Sequence, residues 1–371
     1  MPPPSKYHIP ALPLEIELET LPIYKALADA KAALAELKGV ATAIPNQRIL
    51  IDTLALQEAK ASSEIENIVT TQDDLLKGVV AIDGNVRGSV KDVSLYRDAM
   101  DLGWRRLKKT GGVIQNTTLI KQYQLLKGRN DAFQGVAGTV LKDNIANIGY
   151  VPPQSPDSVM RHMTALEHYI NNDLQTDLDP LIKMTVIHHQ FESINPFSDA
   201  NGRIGRMLNV LYLCQSGLLD QPILYLSRTI KTQKTDYYTF LQKAPDASSG
   251  LELQNAWQDW VLFMLSVVRD ASRTVINLFS EIRKQMTTIK RQIRDGDLKK
   301  IYSQDLLNNL FRHPYTRVEF IEQELGVSRP TATKYLKALV RADLLEQIRQ
   351  GRNNYHVNRP LVSALTDVGG R

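Results

Sequence analysis

Cysteine and long apolar runs are nearly absent from this chain. Cys214 is the only cysteine among 371 residues, which excludes a disulfide within the chain and favours a reducing compartment. Apolar stretches such as 261–268 fall well short of the roughly 20 residues that a membrane-spanning helix needs. The N-terminus also lacks the apolar core of a secretory signal. We therefore expect a cytoplasmic protein that does not contact a membrane.

Positive side chains outnumber negative ones only slightly. The chain carries 45 Lys and Arg against 40 Asp and Glu, and 43% of its residues are hydrophobic. This is ordinary globular composition, which excludes a disordered chain, a collagen and a coiled-coil rod. At about 150 residues per domain, the length predicts two or three domains. Residues 297–371 hold 12 basic against 8 acidic side chains, so most of the surplus lies there and weakly favours an acidic partner.

Apolar residues recur at helical spacing along most of the chain. Leu27, Ala30, Leu34 and Leu37 follow one another at intervals of three and four, which predicts a first helix. A second helix is predicted from about residue 46. Further helices are predicted over 90–107, 119–126, 158–171, 179–191 and 272–294.

Residues 135–153 have a different pattern. Two short runs of β-favouring residues, 139–141 and 145–148, flank a polar turn at 142–144. This arrangement predicts a β-hairpin. The prolines at 152–153 disfavour any continuation of the strand pairing.

The most informative segment is 195–206, which reads Asn-Pro-Phe-Ser-Asp-Ala-Asn-Gly-Arg-Ile-Gly-Arg. It is a polar turn that leads into a helix, since apolar residues continue at helical spacing beyond it. Small residues at Ala200, Gly202 and Gly205 allow a ligand to approach the backbone closely. Free amides at a helix N-terminus attract anions. The segment therefore predicts an anion site.

Charged side chains of the same segment extend this prediction. Arg203 and Arg206 lie three residues apart, so both guanidinium groups project from one helix face with the planar fork that suits phosphate. Asp199 stands beside them and could hold Mg²⁺, which prefers few carboxylates together with phosphate oxygens. An ordinary loop with two solvated arginines is the alternative. The full arrangement favours a polyphosphate site with its metal.

This segment resembles the signature of the Fic (filamentation-induced-by-cAMP) family, His-Pro-Phe-x-Asp/Glu-Gly/Ala-Asn-Gly-Arg-x-x-Arg. The similarity extends upstream over 188–194 and downstream over 223–228 and 236–238. Many Fic proteins transfer AMP from ATP to a hydroxyl side chain of a target protein. The resemblance implies an all-α Fic fold with a β-hairpin flap, an N-terminal helical region and a C-terminal winged helix-turn-helix module.

The resemblance also implies roles for individual residues. Asn201 and Arg203 would engage the phosphates of ATP, Arg206 its terminal phosphate and Tyr238 its base. The hairpin at 139–150 would be the flap that aligns the target segment by strand addition. The implied ATP-binding residues are Glu66, Ala200 (where the family usually has glycine), Asn201, Gly202, Arg203, Ile204, Gly205, Arg206 and Tyr238, with Asp199 as the Mg²⁺ ligand.

One position departs from the family pattern. Asn195 stands where the family has its catalytic histidine. A hydroxyl nucleophile needs a base to take its proton, and histidine titrates near neutral pH, whereas an asparagine amide does not titrate. Because a general base contributes about 10²–10⁴ in rate, we expect weak or absent AMP transfer with nucleotide binding intact. His188 and His189 lie at least six residues upstream and are expected to pack near the site rather than to replace the base.

The segment 62–67, Ser-Ser-Glu-Ile-Glu-Asn, resembles the inhibitory motif of the family, Ser/Thr-x-x-x-Glu-Gly/Asn. Ser62 lies one helical turn before Glu66. The resemblance implies that Glu66 pairs with Arg206. A carboxylate there would occupy the fork meant for the γ-phosphate, so ATP would bind in an unproductive orientation. The alternative is a solvated helix face.

Residues 303–360 have the pattern of a winged helix-turn-helix. A short helix over 318–325 is followed by a turn and by a second helix from Pro330, which would be the recognition helix. Short strands around 345–348 and 355–357 form the predicted wing. DNA binding is one interpretation. Dimerisation or target docking is the other, and the small basic surplus makes it the stronger of the two.

We therefore predict an N-terminal helical region with the inhibitory motif (1–110), a Fic core (111–270), a connecting helix (271–296) and a winged-helix module (297–371). The expected ligands are ATP and Mg²⁺, and the expected partner is a protein with a Ser, Thr or Tyr hydroxyl. Self-modification, a homodimer and DNA binding are left open. Two other functions also stay open: a transcription regulator whose Fic fold senses nucleotide, and transfer of another phosphate-containing group from a different nucleotide.

Overall fold

Helices account for most of the structure. The computed structural model describes residues 8–42, 47–68, 88–134, 141–142, 148–172, 177–350 and 353–367. In chain order, the helices are α1 (Leu21–Thr42), α2 (Gln47–Ile65), α3 (Gly88–Lys109), α4 (Asn116–Lys127), α5 (Pro156–Asn171), α6 (Pro180–Ile194), α7 (Asn201–Gln215), α8 (Ser227–Thr232), α9 (Lys234–Asp246), α10 (Gly250–Asp295), α11 (Gln304–Arg312), α12 (Val318–Leu325), α13 (Arg329–Arg341) and α14 (Arg359–Asp367). The strands are β1 (Leu141–Lys142), β2 (Ile148–Tyr150), β3 (Tyr315–Thr316), β4 (Glu346–Gln350) and β5 (Asn353–Val357). The predicted mostly helical fold is confirmed.

Two helices, α6 and α7, form the centre of the core. α6 begins at Pro180, and the Asp179 carboxylate caps it by accepting a hydrogen bond from the Leu181 N–H (3.0 Å). Nearly every side chain of α6 and most of those of α7 are buried. The reason is that α5 and α10 pack around α6, while α2, α3 and α4 pack around α7. The loop that joins these two helices is therefore held from several sides.

A short antiparallel hairpin lies within the predicted flap region. Leu141 pairs with Tyr150, and Lys142 pairs with Ile148, across β1 and β2. Most of the predicted turn and the predicted strand residues 139–140 lie outside the described residues. Strand β2 contacts α9, so the hairpin lies beside the helix that carries Tyr238.

The longest helix, α10, spans 46 residues and links the core to the C-terminal elements. The helix predicted over 272–294 is only its second half, because the buried stripe of α10 continues without a break through residue 271. Ser272 resembles a helix start in the sequence, but its hydroxyl donates a hydrogen bond to the Val268 carbonyl inside the helix (2.7 Å). Within the described ranges, neither α10 nor any other helix is long and apolar enough to cross a membrane.

The C-terminal elements form a module around a three-stranded antiparallel sheet with the order β3-β5-β4. Helix α12 ends at Gly326, whose φ of +65° turns the chain towards α13. Helix α11 contacts α2, and α14 contacts α10. The module therefore packs directly against the helix that carries the segment 62–65.

Candidate nucleotide-binding site

The loop between α6 and α7 is bounded by two residues with a left-handed backbone. Asn195 follows α6 with φ 48°, and Ala200 precedes α7 with φ 61°. Asparagine tolerates this region, whereas alanine is strained there by about 1–2 kcal/mol. The two reversals let the chain pass from α6 into α7 within a few residues, so that the first turn of α7 borders the loop.

Asn201 holds this loop together. Its side-chain oxygen accepts a hydrogen bond from the Phe197 N–H, and its side-chain amide donates one to the Phe197 carbonyl, both at 2.8 Å. The asparagine amide is therefore used within the protein. The implied contact of Asn201 with phosphate stays a prediction, and in this structure its side chain shapes the backbone of the loop.

Helix α4 supports the loop from the side, which the sequence pattern did not predict. The Tyr123 ring stacks on the Phe197 ring at a centroid distance of 4.2 Å, and the Tyr123 hydroxyl lies 2.9 Å from the Ser198 hydroxyl. In the segment that follows α4, the Gln134 N–H donates to the Pro196 carbonyl at 2.8 Å. These contacts fix the loop to an element that is distant in sequence. An aromatic residue on the apolar face of α4 is too common a feature to have revealed this role.

Both motif arginines converge on one carboxylate. Arg203 and Arg206 are each 1% exposed in their side chains. The Nε of Arg203 donates to Glu66 Oε2 at 2.8 Å, and Nη2 of Arg206 donates to Glu66 Oε1 at 3.2 Å. The predicted pairing of Glu66 with Arg206 is thus present, and Glu66 engages the first arginine as well. The arginines are not solvated, because the carboxylate covers them.

Ser62 completes the contact between α2 and α7. The Nε of Arg206 donates to the Ser62 hydroxyl oxygen at 2.8 Å, and Nη2 donates to the Ser62 carbonyl at 2.9 Å. Two groups of α2, the side-chain hydroxyl and the backbone carbonyl of Ser62, therefore accept hydrogen bonds from Arg206. Removing α2 would expose an arginine pair that has the charge and width to hold phosphate oxygens.

Two glycines are required by this close packing. A Cβ at Gly202 would lie 2.8 Å from Arg206 Nη1 and 3.0 Å from Glu66 Oε1. A Cβ at Gly205 would clash with an oxygen of Glu192. Any larger side chain at either position would displace the charged groups that meet there. The two glycines therefore allow α2 and α6 to pack closely against α7. They would also allow a ligand to approach the backbone.

Burial and neighbouring charges shift the pKa values of the site in opposite directions. Burial raises the pKa of Glu192 to about 7, although the positive charge of Arg206 acts in the opposite direction. Burial alone would lower the pKa of Arg206, but the neighbouring Glu66 raises it above the usual value, so the arginine stays charged. Glu192 was not singled out in the sequence, where a carboxylate on a core helix gives no signal of its environment.

Three models of one family match successive parts of the chain. The Fic/DOC family N-terminal model matches 24–105, the Fic/DOC family model matches 116–213, and the model of the C-terminal domain of SoFic-like protein adenylyltransferases matches 285–361. The second of these includes the whole loop and both arginines. The chain belongs to the Fic family.

Known proteins with the same domain are similar over a limited span. A protein adenylyltransferase Fic from Drosophila grimshawi is 28% identical over 126 residues, which is 34% of this chain and 24% of that protein. The chain thus spans about a quarter of the length of the curated relatives that it matches. A crystal structure of a Fic family protein from Desulfovibrio desulfuricans is 22% identical, with a TM-score of 0.57 over 95% of this chain and 98% of the other. A Fic domain containing signaling protein from Bacteroides thetaiotaomicron has a TM-score of 0.53 at 15% identity, over 70% of this chain and 98% of the other. Both structures share the fold.

Asp199 lies where the Fic motif has its acidic residue. Its side chain is 54% exposed, its Oδ1 accepts from the Ala200 N–H at 2.6 Å, and its Oδ2 accepts from the ammonium group of Lys127. Partial burial would raise the pKa of this carboxyl, but the bonds from Lys127 and Ala200 outweigh that effect and lower it. A single exposed carboxylate fits Mg²⁺, which takes most of its ligands from phosphate and water. Within the described residues there is no group of three metal-binding side chains.

The two histidines before the Fic motif are buried, as predicted. His188 Nε2 lies 2.9 Å from the Tyr237 hydroxyl, and His189 Nε2 lies 3.2 Å from the Leu241 carbonyl. Burial lowers the pKa of His188 to about 3 and that of His189 to about 4, so both rings are neutral at physiological pH. Their bonds tie α6 to α9.

Two further predicted residues have different surroundings. Tyr238 is partly buried on α9, next to Tyr237 at a ring-centroid distance of 5.1 Å. Ile204 is fully buried and packs in the core. Tyr238 therefore remains a candidate for contact with a base, whereas Ile204 acts by holding α7 in place.

Helix α2 is anchored by a residue outside the Fic motifs. Glu58 is 2% exposed, and its Oε2 accepts a hydrogen bond from the Ser227 N–H at 3.0 Å, while its Oε1 accepts from the Ser227 hydroxyl. Glu64 pairs with Lys231 at 2.7 Å. The buried bonds of Glu58 fix α2 to α8 and so fix Glu66 over the arginines, and the more exposed pair of Glu64 adds little to this.

Proposed function

We propose that this chain is a Fic-type protein adenylyltransferase that is held in an inhibited state by Glu66. In the proposed reaction, a hydroxyl oxygen of a target protein attacks the α-phosphorus of ATP, and pyrophosphate leaves. The observation that carries the proposal is the convergence of two buried guanidinium groups, Arg203 and Arg206, on one acidic side chain at the start of α7. Two arginine forks on one helix face suit a polyphosphate. The names of the relatives support the same activity.

Glu66 would inhibit by occupying both arginines at once. The family resemblance implies competition for Arg206 alone, with ATP bound in an unproductive orientation. Here one carboxylate oxygen contacts Arg203 and the other contacts Arg206. Phosphates would therefore have to displace two charge-assisted hydrogen bonds, each worth about 1.5–3 kcal/mol. We infer that Glu66 opposes nucleotide binding itself in addition to its orientation.

Asn195 would leave the transfer step without a base. Its backbone N–H donates to the Phe191 carbonyl at 3.0 Å, which fixes the residue at the end of α6. Its side-chain amide can hydrogen-bond but cannot accept the hydroxyl proton. His188 and His189 are neutral but buried and bonded elsewhere. We therefore expect the chain to bind nucleotide once Glu66 is withdrawn, and to transfer AMP about 10²–10⁴ times more slowly than a histidine variant.

Asp199 would hold Mg²⁺ on the phosphates. The metal, when bound, would neutralise charge on the departing pyrophosphate. The chain contributes the remaining elements: Arg203 and Arg206 orient the phosphates, and the loop fixed by Asn201 and Phe197 keeps the amides of α7 directed at them. The hairpin of β1 and β2 would align the target segment by strand addition.

The test is incubation with ATP labelled at the α-phosphate. The variants are Asn195→His, Glu66→Gly and the two combined, with Asn195→Gln as a control that changes the side chain without supplying a base. We expect strong protein labelling, on the chain itself or on added target proteins, only from the double variant, and weak labelling from Asn195→His. Absence of label from the double variant would contradict the proposal. Label that appears only with another nucleotide would favour transfer of a different group.

A further inference from the structure

Lys127 places a positive charge on the acidic residue of the Fic motif. It is the last residue of α4, and its ammonium group donates to Asp199 Oδ2. The other oxygen, Oδ1, accepts from the Ala200 N–H at 2.6 Å. Each oxygen of Asp199 therefore already has a partner within the chain. A divalent cation that approaches this carboxylate meets a resident cation.

The position of Lys127 is fixed by the fold. Tyr123, one helical turn earlier on α4, stacks on Phe197 and contacts Ser198, so the same helix face touches three successive parts of the loop. Gly128 follows with φ 64°, and its N–H donates to the Gln124 carbonyl at 2.9 Å, which ends the helix at this point. The lysine side chain is 24% exposed. These contacts distinguish it from a lysine that merely extends into solvent at a helix C-terminus.

The chemistry of the two cations differs. An ammonium group is a compact point charge with three donors on a flexible stem, and it can move from a carboxylate to a nearby phosphate oxygen. Mg²⁺ demands octahedral oxygen ligands and keeps several waters, and it binds by one or two carboxylates together with phosphates. Both cannot use Asp199 Oδ2 fully at the same time.

We propose that Lys127 competes with Mg²⁺ for Asp199 and thereby sets the Mg²⁺ concentration that nucleotide binding requires. This inference rests on the proposed nucleotide site. When the metal binds, the ammonium group is displaced and is free to contact a phosphate oxygen beside the loop. Lys127 is thus a positioning residue whose effect acts through the carboxylate.

The experiment measures ATP binding by calorimetry over a range of Mg²⁺ concentrations. The parent is Glu66→Gly, in which no carboxylate covers the arginines, and the test variant adds Lys127→Met. The matched control adds Lys121→Met, because Lys121 lies on the same helix, is exposed and donates a hydrogen bond to Gln124 of its own helix (3.0 Å). The readout is the Mg²⁺ concentration that gives half of the maximal gain in ATP affinity.

We expect Lys127→Met to lower this concentration by about threefold or more, as removal of a competing ion pair requires, while Lys121→Met leaves it unchanged. An unchanged or higher concentration in Lys127→Met, or an equal decrease in Lys121→Met, would overturn the inference and leave the proposed function intact. Absence of ATP binding in the Glu66→Gly parent would instead refute the proposed function, and the inference with it.

Discussion

At the scale of single residues, the electrostatics of the site depend on charged side chains that are buried away from water. Glu192 is the clearest case, because its side chain is 13% exposed and one of its oxygens lacks a hydrogen-bond partner among the described residues. It packs against Gly205 and lies near the charges of Arg206 and Glu66. Burial without a partner disfavours the ionised form, which explains why the pKa of this carboxyl rises to about 7.

We predict that Glu192→Gln stabilises the protein above neutral pH. The carboxyl is protonated in both folded and unfolded chains below the usual pKa of 4.5, but between pH 4.5 and 7 only the unfolded chain ionises. The free energy of unfolding therefore falls as pH rises from 4.5 to 7, by roughly 3 kcal/mol in total. Thermal unfolding at pH 8 should show a higher Tm for the variant, and the difference should vanish towards pH 4.5. A difference that is independent of pH would show that Glu192 is not protonated by burial.

The sequence identified the charged residues of the site but not their immediate partners. Arg203, Arg206 and Glu66 were predictable because their spacing matches a specific motif, and the structure brings them together. The bonds of Asn201 to the loop backbone and of Lys127 to Asp199 were not predictable. Such partners depend on how a loop and a distant helix approach each other, which no local spacing records.

At the scale of secondary structure elements, α2 determines whether the arginines are covered. It touches α8 through Glu58 and Glu64 and α7 through Ser62, and Glu66, the first residue after the helix, reaches both arginines. Burial raises the pKa of Glu58, although its bonds to Ser227 act against the rise. A ligand that weakens those contacts would release Glu66.

We predict that Glu58→Ala loosens α2 and increases nucleotide affinity. The substitution leaves the Ser227 N–H and hydroxyl without their buried acceptor, which costs about 1–3 kcal/mol for each unsatisfied group. The melting temperature should fall, and ATP should bind more tightly in calorimetry because Glu66 is less firmly placed. Glu64→Ala is the control, since its pair with the half-exposed Lys231 is worth about 1 kcal/mol or less. Equal effects of the two substitutions would contradict an anchoring role for Glu58.

The elements themselves were largely predictable, whereas their boundaries were less so. Helices over 90–107 and 158–171 extend by about two residues at one or both ends in α3 and α5. The exception is α10, where a predicted helix start at residue 272 lies inside one continuous helix. A buried serine whose hydroxyl bonds within the helix has the same local pattern as an N-cap, and only the surrounding packing separates the two.

At the scale of the whole molecule, the C-terminal module is joined to α2, the helix that precedes Glu66. Helix α11 packs on α2, so a partner of the module lies within reach of the element that covers the arginines. Lys334, Lys337 and Arg341 are exposed on α13, whereas Arg329 is paired with glutamates of α12. DNA binding by the module and its winged-helix character stay predictions.

The central claim is that residues 199–206 hold the phosphates of ATP and that Glu66 covers the two arginines of this segment. Its most direct test is calorimetry with ATP and Mg²⁺ on three chains: the protein itself, Glu66→Gly, and Glu64→Gly as a control for glycine near the end of α2. The account predicts that ATP binds Glu66→Gly at least about tenfold more tightly than the other two, since a carboxylate that bonds two arginines no longer competes. Equal affinity for all three chains, or no binding even to Glu66→Gly, would contradict it.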